Sequence, residues 1–232
     1  MASITSENRS PQASEGLEKP DHYVEPLVEF VHCTKDAEKL IVQMARVSNP
    51  SNADNWATGP KLIRFLMKHE HWSPLEMATL CIKVRTTRDV SAQLTRHWSM
   101  RFQEFSQRYS KVDRPAIPEL RRQGATNRQA STDDLPEELQ NRFKNEIGDI
   151  FERTYVLYEE MLEQGVARET ARRILPMCSR SDLYMHGNLR SWITFFKTRL
   201  TPDTQPECQE IARQARDIFV TMFPHVSEAA GI

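Results

Sequence analysis

The sequence predicts a helix-rich α+β fold, a single domain with a small sheet. Three observations carry that prediction. Several segments place apolar residues at helical spacing, only one segment alternates cleanly, and no internal repeat divides the chain. Residues 1–20 are rich in Ser, Glu, Pro and Asn with few apolar residues, and read as a disordered tail before a folded domain at 21–232.

Within the domain, VEPLVEFV (24–31) suits a first strand, and Pro26 makes it an edge or terminal one. Residues 35–47 place Leu40, Met44 and Val47 at helical spacing, with Thr34 or Asp36 as the cap. A second helix begins near Pro60, a residue suited to a first turn, and runs to Lys68 on a stripe of Leu62, Ile63, Leu66 and Met67. TLCIKVR (79–85) alternates Leu80, Ile82 and Val84 on one face and is the clearest strand. Helical character returns from Arg88 to His97. Residues 111–134 are polar and broken by Pro115 and Pro118, and read as a long mobile loop.

A long helix is expected over 136–164, with Leu139, Phe143, Ile147, Phe151, Tyr155, Tyr158 and Leu162 on one stripe and Gly165 as its stop. A helix at 168–175, a short strand at 183–186, a helix at 189–200 and a last helix at 207–222 complete the chain, ending before Pro224.

Composition excludes several classes of function. The 232 residues are 39% hydrophobic and 27% charged, and no apolar run reaches the ~18–20 residues of a bilayer span. No secretory leader is evident, and the four cysteines form no CxxC pair, so a reducing cytoplasm is the expected location. Neither GxGxxG nor GxxxxGK[ST] occurs among the seven glycines, which disfavours a nucleotide held by a glycine loop. The net charge of −1 advertises neither nucleic acid nor an anionic membrane. Yet 22 of the 31 basic residues are arginine, whose planar fork grips phosphate or carboxylate bidentately.

Position gives the arginines meaning. QLTRHWSMRFQEFSQRYS (93–110) combines Arg96, His97, Arg101, Glu104, Ser106 and Arg108 with Trp98, Phe102, Phe105 and Tyr109. Guanidinium forks, a hydroxyl and flat apolar faces suit a planar, polyanionic ligand. The plainer reading is an amphipathic turn whose arginines pair with Asp89 and Glu104. His69 and His71 in HEHWSPLE (69–76) lack a third ligand at a helical or strand interval, so no metal site is expected. Arg190 and Arg199, nine apart on one helix, point roughly 180° apart and cannot serve one small group. Cys178 follows Pro176 near arginines, but nothing adjacent in sequence serves as its base, and a buried inert thiol is the simpler reading.

Residues 96–110 resemble the central motif of the flavin-dependent thymidylate synthases: Arg-His-Arg, seven residues, Ser, one residue, then Arg-Tyr. HEHWSPLE, ARRILP (171–176) and NLRSWITFFKTR (188–199) are similar to further blocks of that family, in order and at suitable spacing. The resemblance implies reductive methylation of dUMP to dTMP with FAD, methylenetetrahydrofolate as carbon donor and NADPH as reductant, without a protein nucleophile. It also implies a homotetramer with active sites shared between subunits, the substrate entrance lying near loop 111–134. Gln93, Arg96, Glu104, Ser106, Gln107, Arg108, Arg172 and Arg199 match nucleotide-contacting positions, with Arg199 matching the arginine that polarises the pyrimidine. His71, Ser73, Arg96, His97, Glu104, Asn188 and Arg190 match flavin-contacting positions.

Two departures stand out. Trp98 replaces the motif's second arginine, and Thr194 occupies a flavin-side position usually filled by a hydrogen-bonding Asn or similar residue. Arg101 is expected to restore the missing guanidinium on the face that Trp98 shares in a helical turn, while Trp98 stacks on the flavin or a neighbouring aromatic. The departures leave room for dCMP methylation, for a hydroxymethylated product, or for a protein that binds nucleotide or flavin without turnover. An arginine-rich RNA-binding module is a further reading, and the near-neutral charge argues against it.

Overall fold

The computed structural model describes residues 26–232; the tail read at 1–20 lies outside the described residues. The centre is a four-stranded antiparallel sheet in the order β1 (Leu27–Cys33), β2 (Thr79–Thr87), β6 (Arg180–Asn188), β3 (Arg101–Glu104). β2 and β6 pair along their whole length, Thr79 with Asn188 through Thr87 with Arg180. That nine-residue register explains why β6 is longer than the segment 183–186 expected from sequence: pairing, not local propensity, extends it.

One sheet face carries Leu80, Ile82, Val84, Leu183 and Met185, all buried. Onto it pack α7 (Leu189–Arg199) and α8 (Pro206–Met222) through Trp192, Phe195, Phe196, Ile211 and Phe219. The buried indole of Trp192 donates to the carbonyl of Leu80 at 3.1 Å, so its one polar atom is satisfied inside the core. α1 (Ala37–Ala45) and α2 (Gly59–Lys68) close the same core, and α9 (Pro224–Ala230) packs on α2. The sequence reading ended at Pro224, but proline there opens a new helix, where its missing N–H is harmless.

α1 also departs from its expected stripe. Ala37, Ile41 and Val42 are buried, whereas Met44 and Val47 are exposed, the latter at 78%. Neither proposed cap acts as one. Asp36 sits in the left-handed region at φ 49 with no side-chain cap bond, and the Thr34 hydroxyl accepts instead from the backbone N–H of Thr79.

The long helix α5 (Glu137–Glu163) lies where the apolar spacing placed it, and its buried side chains belong to the expected stripe, whose first two residues are exposed. Only Tyr155 and Tyr158 are fully enclosed, in a second small core with Val112 and Ala171; Leu139, Phe143, Ile150, Val156 and Leu157 are exposed. Tyr158 accepts the Val112 backbone N–H at 3.1 Å, which ties residue 112 to the helix. The segment 111–134 holds the two-residue strands β4 (Arg122–Gln123) and β5 (Ser131–Thr132). Arg121 anchors it through a largely buried ion pair with Glu207 on α8 at 2.7 Å.

Candidate active site

Two turns and a short strand build the site. α4 (Arg88–Leu94) ends three residues earlier than expected, and residues 95–100 turn back before β3 starts. β3 has no sequence signature, because four residues are too few to show alternation; it exists by pairing with β6, Arg101 opposite His186 and Glu104 opposite Leu183. The turn is tightly seated at Met100, whose Sδ would lie 2.3 Å from any Cβ added at Gly187, so a larger residue there would displace the Met100 side chain.

A cleft of about 530 Å³ opens where this turn meets the start of α7. Arg96, His97, Trp98 and Arg101 line it from one side, and Asn188, Arg190 and Thr194 from the other. Sequence reasoning missed Glu76, Ser99 and Ser191, which complete the lining; small polar residues and one acid carry no distinguishing pattern.

The pairing of arginines with Asp89 and Glu104 does not hold for the motif's own arginines. Glu104 is taken by Arg88 at 3.1 Å, and Asp89 accepts from the Thr87 hydroxyl at 2.5 Å. Arg96 has no ion-pair partner among the described residues. Arg101 is not on a helical turn with Trp98. It begins β3, and its Nη1 donates to the carbonyls of Trp98 at 3.3 Å and Met100 at 3.1 Å. The chain reversal, rather than helical periodicity, therefore puts both residues in one cleft. Trp98 is 89% exposed, an indole face held open at the cleft mouth.

Arg190 donates to Glu76 at 2.6 Å and lies 5.3 Å from the ring centre of Trp72. That fixes its direction from α3 (Ser73–Glu76), a short helix absent from the sequence reading. His71 and Ser73 are exposed on this same stretch, outside the cleft lining. Asn188 has a second duty: its side chain accepts the Ser191 N–H at 2.8 Å and caps α7. The Thr194 hydroxyl is spent on the carbonyl of Arg190 at 3.0 Å, inside its own helix.

Arg199, at the other end of α7, donates from Nε to His97 Nε2 at 2.9 Å and from Nη2 to the carbonyl of Gln93 at 2.8 Å. Nη1 has no partner among the described residues. The two arginines of this helix thus face different elements, as their spacing predicts, while His97 links Arg199 to the cleft. An acceptor at Nε2 requires a neutral ring, and burial together with the Arg199 charge pushes the His97 pKa from 6.5 down to about 4.

A histidine depressed in this way binds fewer protons folded than unfolded between pH 6.5 and about 4, so stability falls as pH drops through that window. A His97→Gln variant, titrated by thermal melting, is expected to lose less Tm over the same range than the native chain. Parallel losses would show that His97 is not held neutral.

The remaining matched residues gather elsewhere. Ser106 and Arg108 line a separate pocket with Tyr109, Ala167, Arg168 and Glu169, and Arg108 pairs with Glu169 at 2.9 Å. Arg172 follows α6 (Arg168–Ala171) directly. Gln107 is half-buried in the turn beside Ser106. Gln93 turns its side chain to Gln205 at 2.5 Å, and Glu104 lines neither pocket. The eight nucleotide-matched residues therefore divide within one chain.

Cys178 is half-buried, and burial with the nearby Asp89 pushes its thiol up to about 11. It is protonated at neutral pH and unsuited to nucleophilic attack. Among the described residues there is no group of three or more His, Cys, Asp or Glu placed to hold a metal, and no helix is long and apolar enough to cross a membrane.

Known proteins place this arrangement. A probable flavin-dependent thymidylate synthase of Paramecium bursaria Chlorella virus 1 is 39% identical over 205 residues, covering 88% of this chain and 94% of its own. The flavin-dependent thymidylate synthase of Synechocystis sp. is 43% identical over 192 residues, 83% and 88% of the two chains. A UMP/dUMP methylase from Streptomyces cacaoi, solved with 5-Br dUMP, superposes with a TM-score of 0.78 at 27% identity, covering 89% and 94% of the two chains. The same enzyme with 5-Br UMP gives 0.79 at 26% identity. With the thymidylate synthase complementing protein model matching residues 29–225, on a helix-rich fold around a small antiparallel sheet, this chain belongs to that family.

Proposed function

We propose that this protein catalyses the flavin-dependent reductive methylation of dUMP to dTMP, with FAD as cofactor, methylenetetrahydrofolate as carbon donor and NADPH as reductant. The observation that carries the reading is the convergence of Arg96, Arg101 and Arg190 with the open Trp98 indole in one cleft, beside the His97–Arg199 pair. Three guanidinium groups suit a pyrophosphate, and the indole offers a flat surface to a ring. The donor set therefore fits a flavin dinucleotide, with Arg96, Arg101, Asn188 and Arg190 as the residues that would hold it. His71, Ser73, Trp98 and Thr194 join them by position, with the Thr194 hydroxyl a weaker partner because the helix already uses it.

A bound reduced flavin supplies the hydride and mediates the one-carbon transfer. This chain's own contribution is binding and polarisation. Arg199 is oriented by neutral His97 and the Gln93 carbonyl, and its uncommitted Nη1 serves a pyrimidine oxygen where negative charge develops. Ser106, Gln107, Arg108 and Arg172 supply hydroxyl, amide and guanidinium groups suited to a nucleotide's phosphate and ribose. Cys178 takes no part.

The division of the nucleotide set between two pockets supports a homotetramer in which one subunit completes another's site. The exposed apolar side of α5, with Leu139, Phe143, Ile150 and Leu157, supports the same reading, since a monomer gains nothing by wetting it. Segment 111–134 corresponds by the family resemblance to a mobile loop near the substrate entrance, here tied to the body of the protein through Val112 and Arg121.

A second substrate is favoured by the Streptomyces cacaoi methylase, which acts on UMP as well as dUMP by its description. The purified protein, supplied with reductant and methylenetetrahydrofolate, is expected to convert dUMP to a product heavier by one methylene unit. Parallel reactions with UMP and dCMP, read by mass, assign the nucleotide. No product from any of them, with flavin bound, would overturn the reading.

A further inference from the structure

Glu104 is the last residue of β3, and its side chain is about one-fifth exposed. Three donors meet at one of its oxygens: the Ser91 hydroxyl reaches Oε1 at 2.6 Å, the Ser181 hydroxyl at 2.7 Å, and Arg88 Nη1 at 3.1 Å. Ser91 and Ser181 are essentially fully buried, so neither hydroxyl has water as an alternative. The distances fall in the charge-assisted range for a hydroxyl donating to a carboxylate. The other oxygen, Oε2, has only the same Arg88 nitrogen, at 3.3 Å.

The cluster draws on three elements. Ser91 and Arg88 come from α4, Ser181 from β6 and Glu104 from β3. Arg88 Nη1 also donates to the Ser91 Oγ at 2.9 Å. That hydroxyl's one proton has two acceptors in reach, the Glu104 carboxylate at 2.6 Å and the Arg88 carbonyl at 3.0 Å, the charged and nearer one being favoured. β3 is only four residues long and pairs on one side alone, and just past its end the Phe105 N–H donates to the Asp182 carbonyl of β6 at 2.8 Å. With the backbone held by the sheet, the saturated oxygen fixes the Glu104 side chain, two residues before Ser106 and three after Arg101.

We propose that Ser91 and Ser181 are positioning residues for Glu104. They bind one carboxylate oxygen and thereby set the direction in which the other is presented to the hydroxyl or N–H groups of a bound nucleotide. The inference rests on the proposed function and on the nucleotide-contacting position that the family resemblance gives Glu104. A carboxylate free to rotate would meet the ligand in several orientations, and binding would bear the entropy of choosing one.

The test compares Ser181→Thr with Ser181→Val, two side chains of one shape that differ only in the hydroxyl. Ser181→Thr is expected to keep nucleotide KM within about threefold of native, whereas Ser181→Val raises it about tenfold, the lower end for one lost hydrogen bond to a charged group. Flavin content and Tm are expected to match between the pair. Equal KM and kcat in the two variants would overturn the proposal, as would a Val variant that loses Tm alone. Glu104→Gln separates the two levels. If it too leaves nucleotide KM and kcat unchanged, the nucleotide role of Glu104 fails; if it is impaired while the Ser181 pair is equal, only the positioning role fails.

Discussion

Arg199→Ala is expected to retain bound flavin and lose about 10²–10³-fold in kcat, the usual cost of removing one preorganised donor from developing charge. Arg199 is held on two sides, by His97 Nε2 at 2.9 Å and by the Gln93 carbonyl at 2.8 Å, so its remaining nitrogen is aimed without reorganisation. It belongs to α7 but does not line the arginine cleft, so cofactor affinity should not depend on it directly. Flavin absorbance and turnover measured on one preparation check both halves. A near-native rate would remove Arg199 from the chemistry, and loss of flavin would assign it to the cofactor instead.

Coexpression of Arg199→Ala with Arg108→Ala is expected to restore activity that neither variant has alone. Arg108 sits with Ser106 in a pocket that shares no lining residue with the cleft beside His97. If each complete site takes one half from each of two subunits, random mixing leaves about one site in four with both native halves, since symmetric assembly draws each half independently. The readout is specific activity of doubly tagged mixed oligomers against each parent variant. No recovery would place both arginines in one subunit's site and refute the shared arrangement.

The helices and the central strand were legible because burial writes a period into the sequence. Leu80, Ile82 and Val84 alternate, and Ile63, Leu66 and Met67 repeat at helical spacing, because each set faces one core. Elements without such a period were not legible. β3 is too short to alternate, and α3 is a single turn around Pro74. In α1 the apolar spacing named a helix correctly but not the buried face, since Met44 and Val47 fit the pattern and are exposed. In α5 it named the face but not its covered length, Tyr155 and Tyr158 being buried and Leu139 and Phe143 exposed. Apolar spacing reports that a side chain prefers to be covered, not which partner covers it.

The same division runs through the site. The residue types needed to bind a polyanionic planar ligand, Arg96, His97, Ser106, Arg108, Arg190 and Arg199, were all visible in sequence, since chemistry depends on side-chain identity. Their grouping was not. That Arg101 reaches the cleft through a chain reversal, that Ser106 and Arg108 stand apart from it, and that His97 is neutral against Arg199 were settled by packing. Local sequence determines what a segment prefers and which groups it carries. Distances between segments far apart in the chain, and the desolvation that shifts a pKa, arise only when the whole core closes.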